Sequence, residues 1–288
     1  MTRKTETLVQ GLTFTEGPRW HHNKLYFSDF YTHKVLAVDL KGNMEIITET
    51  PYQPSGLGWL PDGTLLIVSM NDRKLMQLST DKELSEVADL SKLASYHCND
   101  MVVDSMGNAY IGNFGFDLMS GDDVQATNLI LVKPGQEPTE VANGLLFPNG
   151  TVISPDGKTL IVGETFASRL TAFDIEEDAT LTNRRVWADL NLIEEGYSPL
   201  PDGICLDADG AIWVASPSTN DVIRIEEGGA LLDKVELSQS AFACMLGGKE
   251  GRTLFISTAN SSNQKDCLEE RSARIETIEV QVPRAGLP

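Results

Sequence analysis

Oxygen-bearing side chains recur at one register along this chain: Glu16, Ser55, Asn99, Asn149 and Asp202, with Ala243 closing the series. Each stands nine to eleven residues before a short β-rich run whose core begins at Leu25, Leu65, Ala109, Leu160, Ile212 or Leu254. In five of the six, a glycine or aspartate follows: Gly17, Gly56, Asp100, Gly150 and Gly203. A single carboxylate at a strand mouth, such as Asp202 in "PDGICLDADGAIWVA", is ordinarily an Asx turn. Two carboxylates and two carboxamides at one repeat register ask for more. If the repeats bring them together, the like charges repel. A cation relieves that repulsion and organises the group. All the donors are oxygens, which favours a hard ion, Ca²⁺, Mg²⁺ or Mn²⁺. Zn²⁺ is possible but more often recruits His or Cys.

The elements that must position these residues are strands. "KLYFSDF", "TLLIVSM", "NAYIGNF", "TLIVGET", "AIWVASP" and "TLFISTA" recur along the chain, several of them introduced by Asp62-Gly63, Asp156-Gly157 or Asp209-Gly210. Asp-Gly between apolar runs is a hairpin signal. Second runs follow, among them "KVLAVDL", "KLMQLST", "RLTAFDI" and "VIRIEEG". Helical periodicity is weak, and "EVADLSKLA" and "RVWADLNLI" are the best short candidates. The register positions lie 39, 44, 50, 53 and 41 residues apart. Self-similarity of that length, with about four strands per unit, is the mark of a β-propeller. The expected fold is therefore all-β: a single six-bladed propeller over 1–288, with a metal site in the central channel. Blades should start near Glu16, Pro54, Cys98, Pro148, Pro201 and Phe242, and the N-terminal "TETLVQ" should close the last one.

Composition sets limits. The net charge of −19 argues against nucleic acid. No apolar run approaches the ~18 residues of a membrane span. The N-terminus "MTRKTETLVQ" lacks the apolar core of a signal peptide, so the expected location is the cytoplasm. The cysteines Cys98, Cys205, Cys244 and Cys267 form no CxxC pair and read as buried free thiols.

Five motifs, "EGPRW" (16–20), "ND" (99–100), "PNG" (148–150), "SPDGKTL" (154–160) and the stretch from Pro201 to Ala215, together resemble the senescence-marker-protein/gluconolactonase/luciferin-regenerating (regucalcin-like) family. The resemblance runs from about Leu12 to Ile256. It implies a six-bladed propeller with one divalent metal in its channel, Ca²⁺ ahead of Mg²⁺, Mn²⁺ or Zn²⁺. It implies that Glu16, Asn149 and Asp202 ligate the metal, and that Asn99 contacts metal, water or substrate. The implied activity is hydrolysis of a small-molecule lactone or ester: the metal polarises the carbonyl and Asp202 serves as general base for the attacking water. Some members carry an arginine where His97 stands here, and use it to hold a sugar lactone. His97 becomes a substrate hydrogen-bonding group or a second acid–base.

Strand ends near the same face should supply the pocket wall: Phe30, Tyr31, Met70, Asn71, Phe114, Phe116, Phe166, Ser216, Pro217 and Asn260, with Asp29, Asp117 and Glu164 on the same loops. Phe30, Phe114, Phe116 and Phe166 suggest an apolar pocket suited to a hydrophobic lactone, and Glu164 is a possible orienting group. Gly112–Asn128 is a longer excursion that can serve as a lid. Organophosphate hydrolysis, lyase chemistry on the same metal, and a non-catalytic calcium-binding propeller are the alternatives. A monomer or small homo-oligomer is expected.

Overall fold

The structure, a computed structural model, describes residues 4–288. These form six four-stranded antiparallel sheets arranged as the blades of a propeller. In the first five, the four strands follow one another in chain order from the inside outward. Blade one, for example, runs Thr15–His21, Lys24–Asp29, Lys34–Val38 and Met44–Glu49. The innermost strands of the others are Pro54–Trp59, Cys98–Val103, Pro148–Ile153, Ile204–Leu206 and Ser240–Gly247. Blade six takes its outermost strand from the other end of the chain: Glu6–Leu12 pairs antiparallel with Ala273–Glu279, joining Leu12 to Ala273 and Glu6 to Thr277. This strand ties the two ends of the chain into one sheet and closes the ring.

Each blade lies face to face with two neighbours, so its central strands are covered on both sides. That explains why "LLIVS" (65–69), "AYIGN" (109–113) and "IWVAS" (212–216) are buried throughout instead of alternating. One inter-blade layer packs Val68, Met101, Ile111 and Ile130 together, and another packs Val152, Trp187, Ile204, Val214 and Ile223. The outermost strands are largely exposed or half-buried along their length. The two segments with helix-like periodicity belong here. "EVADLSKLA" enters the outer strand Leu84–Asp89, and "RVWADLNLI" enters the outer strand Leu181–Asp189 followed by one 3₁₀ turn. Pairing with Lys74–Leu78 and Arg169–Ile175 decides their conformation, and Leu90, Ala94 and Leu190 after the strands are buried at the turn while Leu192 stays exposed. The α-helix of the described residues is a single short one, α1 (Gln264–Glu270), between the last two strands of blade six. Asn263 caps it, accepting from the N–H groups of Lys265 and Asp266.

The C-terminal segment crosses the far mouth of the channel. Leu287 exchanges both backbone hydrogen bonds with Ile153, Ala285 N–H donates to Leu206 O, and Arg284 Nη1 donates to Trp20 O. These acceptors sit at the C-terminal ends of inner strands, so the channel opens from the other end. No helix among the described residues is long and apolar enough to cross a membrane.

Candidate active site

The inner strands break register where the repeated polar residues stand. The ladder shifts between Glu16 and Arg19, Pro54 and Leu57, Cys98 and Met101, and Pro148 and Thr151. In blade six the shift comes between Ala241 and Ala243. Such bulges re-aim side chains and are frequent beside active sites. In blade five the ladder begins only at Ile204, and Asp202 is held by its backbone instead: its N–H donates to Ala215 O, and its carbonyl accepts from Gly150 N–H at 3.1 Å. The following glycines let neighbouring inner strands touch. A Cβ on Gly56 would lie 2.4 Å from Met101 N, and one on Gly150 2.5 Å from Asp202 O.

This close ring brings Glu16, Asn99, Asn149 and Asp202 to the floor of one cavity of about 710 Å³, with His97 on its wall. The Asn149 amide hydrogen-bonds to the Asp202 carboxylate and donates to Thr165 Oγ1 at 3.3 Å. Thr165 in turn donates to Pro201 O at 2.7 Å, which locks blade four to blade five beneath the site. Burial pushes the Glu16 carboxyl well above the usual range, and the charges of Asp202 and Asp100 push it further. Burial and then Asp100 raise Asp202, against the hydrogen bond from Asn149. The nearest cation, Arg19, is engaged by Asp100 at 2.6 Å. Glu16 and Asp202 therefore share a buried space without a counter-ion of their own. Asn99 Nδ2 is also buried with no hydrogen-bond partner among the described residues. An unpaired amide donor and two uncompensated carboxylates at one point are costly unless a ligand meets them.

That donor set fits a hard divalent cation in chemistry: two carboxylates and an amide, all oxygen. Among the described residues no three His, Cys, Asp or Glu side chains converge as a metal cluster. A site built on Glu16 and Asp202 needs Asn149 to complete it.

Two aromatic walls rise from this floor. Phe14, Phe30, Tyr31 and Phe242 come from blades one and six, with the rings of Phe14 and Phe242 4.7 Å apart. Phe114, Phe147 and Phe166 come from blades three and four, with Phe114 and Phe147 at 4.4 Å and Phe147 and Phe166 at 5.2 Å. In a six-membered ring these blade pairs stand opposite each other. His97 joins the second wall, stacked on Tyr96 and edge-on to Phe114; burial holds its pKa below the usual value. Phe147 has φ +59°, a left-handed conformation that strains an aromatic residue by about 1–3 kcal/mol and is concentrated at functional sites. Leu118 and Met119 of the 112–128 excursion, Asn260–Asn263 before α1, and Gln264 at its first turn form the rim.

The structure thus gathers Glu16, His97, Asn99, Asn149, Asp202, Phe30, Phe114 and Phe166 around one cavity. Three expected pocket residues stand outside the lining: Phe116, Glu164 and Ser216, whose Oγ accepts from Leu200 N–H. Phe116 lies behind the lining and packs on Phe147 and Phe166. The Glu164 carboxylate is fully buried outside the lining. It accepts from Leu146 N–H, Arg169 Nε, Arg184 Nη2 and Thr171 Oγ1. Burial raises its pKa, but these donors outweigh burial and hold it below the usual range. Its neighbours make it a brace of blade four. Asp29 is likewise occupied, accepting from the N–H groups of Thr13 and Phe14. Phe14, Phe147 and Phe242 were not anticipated. The first two carried a signal: they stand two residues before the repeat register, as do Gln53, His97 and Leu200, which also line the cavity.

The profile of the SMP-30/gluconolactonase/LRE-like region matches residues 14–260. The chain belongs to this family. It is 24% identical over 283 residues to a gluconolactonase of Zymomonas mobilis, covering 89% of this chain and 79% of that one. It is 28% identical over 181 residues to regucalcin of Danio rerio, covering 62% of this chain and 59% of that one. The solved structure of a calcium-binding protein, regucalcin, from Agrobacterium tumefaciens superposes with a TM-score of 0.83 at 21% identity, over 99% of this chain and 96% of that one. The SMP-30/gluconolactonase match ends at Asn260, so α1 and the segment crossing the far mouth lie beyond it.

Proposed function

We propose that this chain is a divalent-metal-dependent hydrolase that opens a neutral, apolar lactone or ester. The observation that carries the reading is the pair of carboxylates, Glu16 half-buried and Asp202 buried, without a counter-ion of their own on the floor of an aromatic cavity. Relatives named gluconolactonase support the reaction class. Glu16, Asn149 and Asp202 would hold the ion, Ca²⁺ ahead of Mg²⁺, Mn²⁺ or Zn²⁺. Bound there, a divalent cation supplies Lewis-acid polarisation of a carbonyl.

The protein's own groups divide the remaining work. Asp202 is the general base for the attacking water, since its carboxylate combines cavity exposure with a fixed backbone. Asn99, whose Nδ2–H has no partner among the described residues, offers it to the oxygen that gains charge as the ester bond breaks. His97, neutral at pH 7, supplies one donor and one acceptor at the wall. Phe14 and Phe242 on one side and Phe114, Phe147 and Phe166 on the other sandwich the apolar body of the substrate and exclude water. Among the described residues lining the cavity none is Lys or Arg. A carboxylate, sulfonate or phosphate on the substrate finds no cation there, and a polyol finds no guanidinium fork.

A panel of aryl, alkyl and sugar lactones, assayed after chelation and again after metal add-back, tests this. An aryl or alkyl lactone should show the higher kcat/KM, and chelation should abolish turnover until metal returns. Gluconolactone proving better by tenfold or more, or turnover indifferent to chelation, would overturn the reading. His97→Ala should lower activity on the preferred lactone.

A further inference from the structure

A second cavity, of about 430 Å³, opens on the mouth side of blade six. Gln10, Gln239, Asn260, Arg271, Ser272 and Arg274 line it, and Asn260 also stands on the rim of the first cavity. The two differ in charge. Among the described residues the first is lined by Glu16 and Asp202 and by no Lys or Arg. The second is lined by two arginines and by no Asp or Glu. In a chain of net charge −19, a cavity with that lining calls for an anion.

Both guanidinia are held without losing their charge. Arg271 is the C-cap of α1, in the left-handed conformation at φ +48°, and its N–H donates to Cys267 O at 3.1 Å. Glycine is the ordinary residue at such a position. The Arg271 side chain has no hydrogen-bond or ion-pair partner among the described residues. Arg274 Nε donates to Gln239 Oε1 and lies 3.5 Å from Glu276 Oε1, while Nη1 and Nη2 have no partner among the described residues. Gln239 is buried, and its Nε2 donates to Asn260 Oδ1 at 2.7 Å and to Ser272 O at 3.1 Å. A neutral amide thus aims Arg274 where a glutamate would cancel it. The same amide occupies Asn260 Oδ1, which leaves the Asn260 Nδ2–H groups for a ligand. Ser272 Oγ accepts from Asn260 N–H at 3.1 Å and keeps its own O–H to donate. From the other side, the strand Glu6–Leu12 bulges between Gln10 and Leu12, with Gly11 at φ +83°, where Gln10 joins the lining. Glu276 offsets one of the two positive charges, so the cavity suits a monoanion better than a dianion. A planar carboxylate matches guanidinium forks flanked by amide and hydroxyl donors.

We propose that this second cavity is an anion site for a carboxylate, formed by Arg271 and Arg274, and that it receives the carboxylate of the hydroxy acid released by ring opening. The identity of the ligand rests on the hydrolase reading above; the anion site itself does not. Adding water across the acyl C–O bond of a neutral lactone yields an alcohol, a carboxylate and a proton. The carboxylate forms above Glu16 and Asp202, which repel it once it leaves the ion, and Asn260 is common to the cavity it leaves and the cavity that attracts it. Arg271, Ser272 and Arg274 lie beyond the residues that match the family.

Saturation-transfer NMR of the chelator-stripped full chain with sodium acetate, at constant ionic strength, tests the site. Without a metal the charged groups lining the first cavity are both carboxylates, so acetate uptake reports the second. Acetate should bind saturably. Arg271→Gln and Arg274→Gln should each weaken it at least about tenfold, through loss of a charge-assisted contact. Arg252→Gln removes the same charge at the opposite end of blade six and should leave binding within about twofold, because the charge there is screened. Arg271→Gln deletes no contact of the fold, so it reads binding even if Arg274→Gln does not fold. No saturable signal in wild type, or a signal unmoved by Arg271→Gln, overturns the site. Inorganic phosphate displacing acetate at concentrations far below those of acetate itself overturns the carboxylate assignment. In the metal-loaded chain, the ring-opened acid of the preferred lactone should inhibit turnover, with an inhibition constant about tenfold higher in Arg271→Gln. Equal inhibition of wild type and Arg271→Gln overturns the assignment to the product, as does a chain that opens no lactone; acetate binding lost in Arg271→Gln still upholds the anion site in either case.

Discussion

Gly150→Ala puts a methyl group where the inner strands of blades four and five touch. The added Cβ would lie 2.5 Å from both Asp202 O and Ile204 N and 2.8 Å from Gly203 Cα. All three are backbone atoms, so no side-chain rotation relieves the clash. The strands must part by roughly half an ångström or more to restore contact distance. Overpacking of this kind costs about 1–3 kcal/mol, and a backbone-only clash belongs at the upper end. The move also lengthens the 3.1 Å hydrogen bond from Gly150 N–H to Asp202 O, which fixes the candidate base. At about 2.1 cal/mol/K per residue, the 288-residue chain has an unfolding entropy of roughly 0.6 kcal/mol/K, so about 3 kcal/mol lowers Tm by about 5 °C. Gly163→Ala is the control: its nearest contact is the Pro201 Cβ at 3.3 Å, and the loss should be about a third as large. Thermal melts by circular dichroism at one scan rate read both. A Gly150→Ala chain melting within about 1 °C of wild type would refute the claim that the ring closes through backbone contact at this register.

Glu164→Gln should lower Tm at pH 7 by about 3 °C, corresponding to about 2 kcal/mol for charge-assisted hydrogen bonds lost at a fully buried carboxylate. Because the donors hold this carboxyl below its unfolded pKa of about 4.3, its stabilisation is present above that value and lost as pH falls through the folded one. The Tm gap between wild type and Glu164→Gln should therefore close on acidification; a loss of activity with no change in Tm would return Glu164 to the pocket. Phe147 is only 5% exposed, so Phe147→Ala removes roughly 20 Å² of direct contact and should raise KM for an aryl lactone about twofold at ~25 cal/mol per Å², and less for an unsubstituted one. Equal effects on both would contradict the aromatic-wall reading. Removing residues 284–288 should lower Tm by several degrees, since it strips the hydrogen bonds to Ile153, Leu206 and Trp20; an unchanged melt would show that the segment does not brace the far mouth.

The six-bladed architecture was legible because it rests on local signals repeated along the chain. Asp-Gly turns, fully apolar central strands and a polar residue at constant offset each report on one unit, and agreement among units reports on the ring. Four of the residues on the cavity floor, Glu16, Asn99, Asn149 and Asp202, were readable for the same reason. Phe147 and Phe14 were visible in the sequence but hidden by the bulges. A strict alternation turns their side chains the same way as Asn149 and Glu16 without saying that the strand kinks to form a mouth. Glu164 misled because a strand-end carboxylate looks alike from sequence whether it faces solvent or two arginines, and Arg184 is 20 residues away on another strand. Arg19 and Asp100 are 81 residues apart, and nothing local couples them. The helix α1 was missed because its seven residues hold little periodicity, although Asn263 marks its start.

Calcium titration of the chelator-stripped chain, followed by its melting temperature, tests the centre most directly. An ion held by Glu16, Asn149 and Asp202 stabilises the fold by mass action, about 2.7 kcal/mol at a hundred times Kd, which is about 4–5 °C for this chain. Wild type should show that saturable rise, and Glu16→Gln and Asp202→Asn should each abolish it while remaining folded. A wild-type melt unmoved by Ca²⁺, Mg²⁺ and Mn²⁺, or a full rise retained in Asp202→Asn, would contradict a metal centre on these residues.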